Sequence, residues 1–225
     1  MCPLSLQTVW SGTRFVADQT VCNNRVVPRD GTATRDRILT AARRLVIDNG
    51  FRATTVEAVL AASGTSKGAF FHHFASKRDL ADALVTQYVA DDLAMLEAGM
   101  TAAFEAGADP TSRAIAFLRY YEDLADEIMA GTTGCLYTSV LAEMELVDAA
   151  TSDPITKAVV VWRERYAELL AAALGDRTDV DVDALSDHVF VTFEGAYLLA
   201  RSTGDPGEMR RQLAVLRRLV EAVLR

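Results

Sequence analysis

Apolar residues recur along most of this chain at helical spacing, and no stretch shows the strict alternation that marks a strand. Thr54 with Glu57 three residues on has the form of a capping box, and Val56, Val59 and Leu60 follow on one helical face. Ser63-Gly64-Thr65 breaks that pattern: Gly supplies backbone freedom for a sharp turn, and the hydroxyls can take amide protons at the next helix start. A second short helix is expected over 66–72, with Phe70 and Phe74, four apart, anchoring one face. Ser76-Lys77-Arg78-Asp79 forms another capping box, which opens a long helix over 76–106. Further helices are expected over 111–130, 135–149, 154–174, 182–202 and 206–224, separated by Gly- and Pro-containing stops. The predicted fold is all-α, and the helices after residue 80 should bundle. In the last two helices apolar residues occupy more than one face, including Leu185, Val189, Leu213, Leu216 and Val220. Such faces are either buried within one subunit or left over for a partner.

Composition fits this picture, since half of the 225 residues are hydrophobic and only 5 are Pro. The apolar runs, such as 158–162 and 169–174, fall well short of the roughly 18 residues of a membrane span. The first 30 residues have no continuous apolar core of an export signal, so a cytoplasmic protein is expected. Residues 1–31 carry neither helical nor strand period and are expected to be a disordered extension. Three cysteines are too few and too scattered for a disulfide framework or a zinc cluster.

Net charge of −8 argues against DNA binding until it is divided along the chain. Residues 31–80 carry 8 Lys and Arg against 4 Asp and Glu, whereas residues 81–225 carry 12 against 25. A basic head on an acidic body orients toward phosphate and keeps the body off the duplex. The second short helix starts with small and cationic residues, Ser66, Lys67, Gly68 and Ala69, which permit close approach to a groove. Lys77 opens the next helix at its positive dipole end, a place that suits a phosphate. The layout is that of a helix-turn-helix, and GTSKGAFFHHFASKRDL resembles the signature of the TetR/AcrR family of bacterial transcriptional repressors, over about residues 34–84.

The resemblance implies a three-helix DNA-binding domain over 32–80, its first helix spanning 35–49 with Ile38, Ala42, Leu45 and Val46 apolar, and an effector-binding and dimerisation domain over 81–225. Expected DNA-facing residues are Thr54, Thr55, Thr65, Ser66, Lys67, Gly68, Phe71, His72 and Lys77. Phe71 stands where the family commonly has a Tyr able to reach a phosphate, and Leu60 and Ser63 stand where it often has Ala. The implied partners are double-stranded operator DNA, a small-molecule effector and a second copy of the chain, joined through the last two helices.

The helical body is rich in aromatics: Phe117, Tyr120, Tyr121, Tyr137, Trp162, Phe190, Phe193 and Tyr197. Such residues line pockets or fill cores, and the family pattern makes them, with Cys135, the expected effector pocket. Cys135 follows Gly134 at a helix start, where the dipole can lower a thiol pKa, so it is either a reactive sensor or a buried thiol. An enzyme is the rival class. The three histidines make no nucleophile or metal pattern, no Gly-rich phosphate loop occurs, and Glu143 and Glu145, two apart, do not share a helix face. No catalytic residue, metal or cofactor is expected.

Overall fold

A computed structural model describes residues 31–143 and 149–225, which are helical with short turns. Nine helices occur among the described residues: α1 Gly31–Asn49, α2 Val56–Ser63, α3 Lys67–His73, α4 Lys77–Glu105, α5 Pro110–Gly131, α6 Leu136–Leu141, α7 Ala149–Leu174, α8 Val182–Thr203 and α9 Glu208–Val223. The expected disordered extension lies outside the described residues, except Gly31, which opens α1. Starts and stops follow local chemistry. Asp109 accepts from Ser112 N–H at 2.8 Å with Pro110 in the first turn of α5, and Asp181 accepts from Ala184 N–H at 3.0 Å to cap α8. Gly204, at φ 71°, ends α8 in the left-handed region.

Two elements differ from expectation. The helix anticipated over 135–149 ends at Leu141, because Glu143 leaves the helical path and its carboxylate accepts from Arg52 N–H at 2.6 Å. Conversely, α7 begins at Ala149, so Pro154 lies inside it rather than opening it. The hydroxyl of Thr151, in the turn before the proline, donates to the Asp82 carboxylate and ties this end of α7 to α4.

Two apolar clusters form the interior. One joins α1, α2, α3 and the start of α4 through Ile38, Leu39, Val46, Val59, Phe70, Phe74 and Leu84, and also takes in Cys135, Leu136, Tyr137, Val140 and Ile155 from α6 and α7. The basic head is therefore continuous with the body through α4 and the seat of α6. The other cluster fills the bundle of α4, α5, α7, α8 and α9, where Phe117, Leu118, Tyr121, Tyr166 and Leu170 are buried. Gly99 of α4 lets α5 come close, since a Cβ there would collide with the Tyr121 hydroxyl. That hydroxyl donates to Met95 O at 3.0 Å. Arg217 of α9 pairs with Glu122 of α5 at 2.6 Å, and Arg163 of α7 meets Asp187 of α8 through two bonds of 2.7 and 2.8 Å.

The residues expected at a dimer interface mostly belong to this interior. Val189, Leu213, Leu216 and Val220 are buried in the subunit's own core, and Leu185 packs against it. These residues face α5 and the rest of the bundle. The apolar face left over consists of Val191, Leu198 and Leu199 on α8 and Val215 and Leu219 on α9, with Leu198 68% and Leu219 59% exposed.

Candidate nucleic-acid interface and the cleft behind it

The turn between α2 and α3 is fixed by its own backbone. Gly64 adopts φ 62°, its N–H and that of Thr65 both return to Leu60 O, and the Ser63 and Thr65 hydroxyls lie 2.7 Å apart. Ser66 then caps α3, its hydroxyl accepting from Ala69 N–H at 3.1 Å. Phe70 and Phe74 are buried against α1, so the opposite face of α3 is turned out, and Lys67, Gly68, Phe71 and His72 are exposed on it. Phe71 is 48% exposed although its ring meets Phe70 edge-on at 5.2 Å, and the Lys67 ammonium lies 6.0 Å from its centroid. This outward face presents a cation, a glycine for close approach and two flat side chains. Thr55, Thr65 and Ser66 border it at the surface.

Two expected DNA-facing residues are placed otherwise. Thr54 is buried, its hydroxyl donating to Gly50 O at 2.8 Å, and the α2 cap is Thr55, which accepts from Ala58 N–H at 3.1 Å. The capping pattern is shifted by one residue because Thr54 closes the preceding turn. Lys77 is half-buried and bends onto the α1–α2 turn: its ammonium donates to Phe51 O at 2.6 Å and Arg52 O at 3.3 Å and sits 4.4 Å from the Phe51 ring centroid. Burial lowers its pKa from the usual lysine value, while Glu143 acts in the opposite sense. Lys77 and Glu143 thus both bond to the α1–α2 turn. Lys77→Ala should lower unfolding stability by about 1 kcal/mol and speed amide exchange around residues 51–55. Unchanged exchange there would remove this holding role.

The expected effector residues form two packed groups. Phe117 stacks on Tyr166 at 4.6 Å and meets Tyr121 at 5.1 Å and Trp162 at 6.2 Å; Tyr121 also contacts Tyr120 and Phe193. Cys135 and Tyr137 are buried in the other apolar cluster, against which Phe190 and Tyr197 pack. Phe117 and Tyr121 are fully buried core residues, because α4 and α5 close on them at Gly99. Burial pushes the Cys135 thiol up to about 12, the opposite of activation, and its sulfur accepts a hydrogen bond from the Tyr88 hydroxyl at 3.7 Å.

Open space lies elsewhere. A cavity of about 970 Å3 runs between α1, the first half of α4 and the end of α5, and of the nine expected effector residues only Tyr197 lines it. At its wall stand Tyr88, Asp91 and Asp92 of α4 and Arg43 of α1. Asp92 is the functional-looking residue that sequence reading missed. Its Oδ2 accepts from Tyr137 Oη at 2.9 Å and Trp162 Nε1 at 2.8 Å, and burial raises its pKa against those two bonds. A signal was available, since Tyr88 and Asp92 are four apart and share a face of α4.

A capped turn between two short helices, the second turning Lys67, Gly68, Phe71 and His72 outward, is the geometry of a helix-turn-helix. Residues 38–84 match the family described as bacterial regulatory proteins, tetR family, and residues 110–216 match the tetracyclin repressor-like C-terminal domain. The chain belongs to the TetR family of DNA-binding transcriptional regulators. It is 27% identical over 178 residues to the transcriptional regulator AcuR of Cereibacter sphaeroides, covering 76% of this chain and 78% of that protein. Over 54 residues, 24% of this chain and 28% of the relative, it is 41% identical to the HTH-type transcriptional regulator UidR of Escherichia coli K12. Among solved structures, a TetR transcriptional regulator from Chloroflexus aurantiacus superposes with a TM-score of 0.70 at 25% identity, covering 85% of this chain and 96% of that one. The regulatory protein TetR from Rhodobacter sphaeroides gives 0.66 at 23% identity over 82% and 97%. No helix among the described residues is long and apolar enough to cross a membrane.

Proposed function

We propose that the protein is a homodimeric repressor whose two helix-turn-helix heads read a palindromic operator in the cytoplasm, and whose helical body, residues 81–225, binds a small effector that releases the DNA. The observation that carries this reading is the exposed face of α3, with Lys67, Gly68, Phe71 and His72 turned out while Phe70 and Phe74 anchor the helix from behind. A two-fold dimer sets its recognition helices about one DNA turn apart, roughly 34–36 Å, so an effector that alters this spacing misplaces one head. The leftover apolar residues of α8 and α9 support the dimer. Lys67→Ala is the test. Affinity for the operator should fall by about tenfold per head and its salt dependence should flatten, whereas the melting temperature should not move. Full affinity at every salt concentration would overturn the DNA-reading role of α3.

A further inference from the structure

We propose that the cleft between α1 and α4 is a binding site for a flat organic cation, such as an amidinium or guanidinium, that stacks on Tyr88 in the place now held by the side chain of Arg43 and reaches across to the Asp92 carboxylate on the same wall. That its occupant acts as the effector rests on the release reading above.

The size, present occupant and charges of the cleft suit a cation. The cleft offers about 970 Å3, ample for a small aromatic molecule. The Arg43 guanidinium lies 4.6 Å from the Tyr88 ring centroid and 3.8 Å from the Asp91 carboxylate, so the wall already receives a planar cation from the protein itself. Arg43 is loosely held there: its side chain is 38% exposed and that of Asp91 60%, a setting in which an ion pair adds little. Asp92 is fixed by the two bonds ending on Oδ2, from Tyr137 and Trp162, which leaves Oδ1 for a further donor. The charges around the opening agree, with five carboxylates against three guanidiniums. An anion would have to face Asp92 and draw Arg43 away from Asp91, both unfavourable.

The location gives such binding a consequence. Arg43 belongs to α1, which backs the reading head, whereas Tyr88 and Asp92 belong to α4, which runs into the body. A ligand that takes the Arg43 seat removes one contact by which α1 rests on α4, and the Asp92 bonds to Tyr137 and Trp162 pass the change to the α6 segment and α7.

Three compounds of nearly one shape and different charge test this: benzamidinium, benzamide and benzoate, titrated into the full-length protein by calorimetry and followed through the Trp162 indole N–H resonance, assigned with Trp162→Phe. Benzamidinium should bind about tenfold more tightly than benzamide and more tightly still than benzoate, and should shift the Trp162 signal. Asp92→Asn, which keeps an oxygen for Trp162 and Tyr137, should lose about tenfold, as should Tyr88→Leu, whereas Arg43→Gln should tighten binding by vacating the seat. Equal binding of the three compounds, preference for benzoate, or benzamidinium binding that ignores both Asp92→Asn and Tyr88→Leu would overturn the site. Operator titration in parallel separates the two readings. Charge-selective binding in the cleft that leaves operator affinity unchanged would sustain the site and remove its part in release. A compound that releases operator without touching the Trp162 signal, while benzamidinium fails to bind, would sink the site and leave release standing.

Discussion

On the proposed dimer, Leu198→Glu combined with Leu219→Glu should give a folded monomer whose operator affinity is lower by about 10²-fold, because each isolated head would engage one half-site. Both leucines are large, apolar and mostly exposed, on helices that pack against each other. Nothing inside the subunit requires them there. Leu216→Glu, one turn away on α9, should behave differently. Leu216 lies in the bundle core beside α5, so a carboxylate there is desolvated without a partner and the subunit unfolds before its assembly can be judged. The pair of outcomes separates a surface face from a core face on one helix. Sedimentation gives the assembly state, circular dichroism the fold, and operator titration the affinity. A dimer that survives both surface charges, or an unmodified protein that sediments as a monomer at micromolar concentration, would refute the α8–α9 interface.

The two-sided apolar pattern of α8 and α9 was legible in the sequence, but which side faces inward was not. Val189, Leu213, Leu216 and Val220 differ from Val191, Leu198, Val215 and Leu219 only in the angle at which each helix meets α5 and α7. That angle is set by contacts distant in sequence, such as Arg217 with Glu122 and Arg163 with Asp187. Helix existence was easier, since stops such as Gly64 and Gly204 and caps such as Ser66 and Ser76 act within a few residues. Glu143 shows the limit: its neighbours read as helix, yet its carboxylate is drawn to Arg52 N–H, 91 positions away.

The same division runs through the site. The face of α3 was readable because Phe70 and Phe74 declare the buried side and leave Lys67, Gly68, Phe71 and His72 on the other. The shift of the α2 cap from Thr54 to Thr55 was not, because both threonines satisfy the local rule and only the buried bond from Thr54 to Gly50 O decides between them. Lys77 is the sharper case. Its position at the mouth of α4 suits a phosphate, but two carbonyls and the Phe51 ring from the α1–α2 turn hold the ammonium. The cleft was hidden for a related reason: its walls come from α1, α4 and α5, and aromatic content alone marks the packed core as readily as the open space.

Phe117→Ala should be the most destabilising of the single truncations in the aromatic group, lowering unfolding free energy by roughly 3–5 kcal/mol. Phe117 is fully buried, stacked at an interplanar angle of 18° on Tyr166, with Tyr121 and Trp162 at its edges. Removing the ring takes away its burial and leaves a void that α4 and α5 cannot collapse into, since Gly99 already brings them to the limit set by Tyr121. The stacked and edge contacts with Tyr166, Tyr121 and Trp162 go with the ring and are part of that loss. For a chain of this size the melting temperature should drop on the order of 10 °C, compared at equal protein concentration. Head and body share α4, yet the head cluster around Ile38, Val59 and Phe70 contains no atom of Phe117. Operator binding well below the melting point should therefore persist. A variant that melts within about 1 °C of the parent but loses response to an effector would mean that Phe117 borders open space, and the packed core assigned to it would have to be given up.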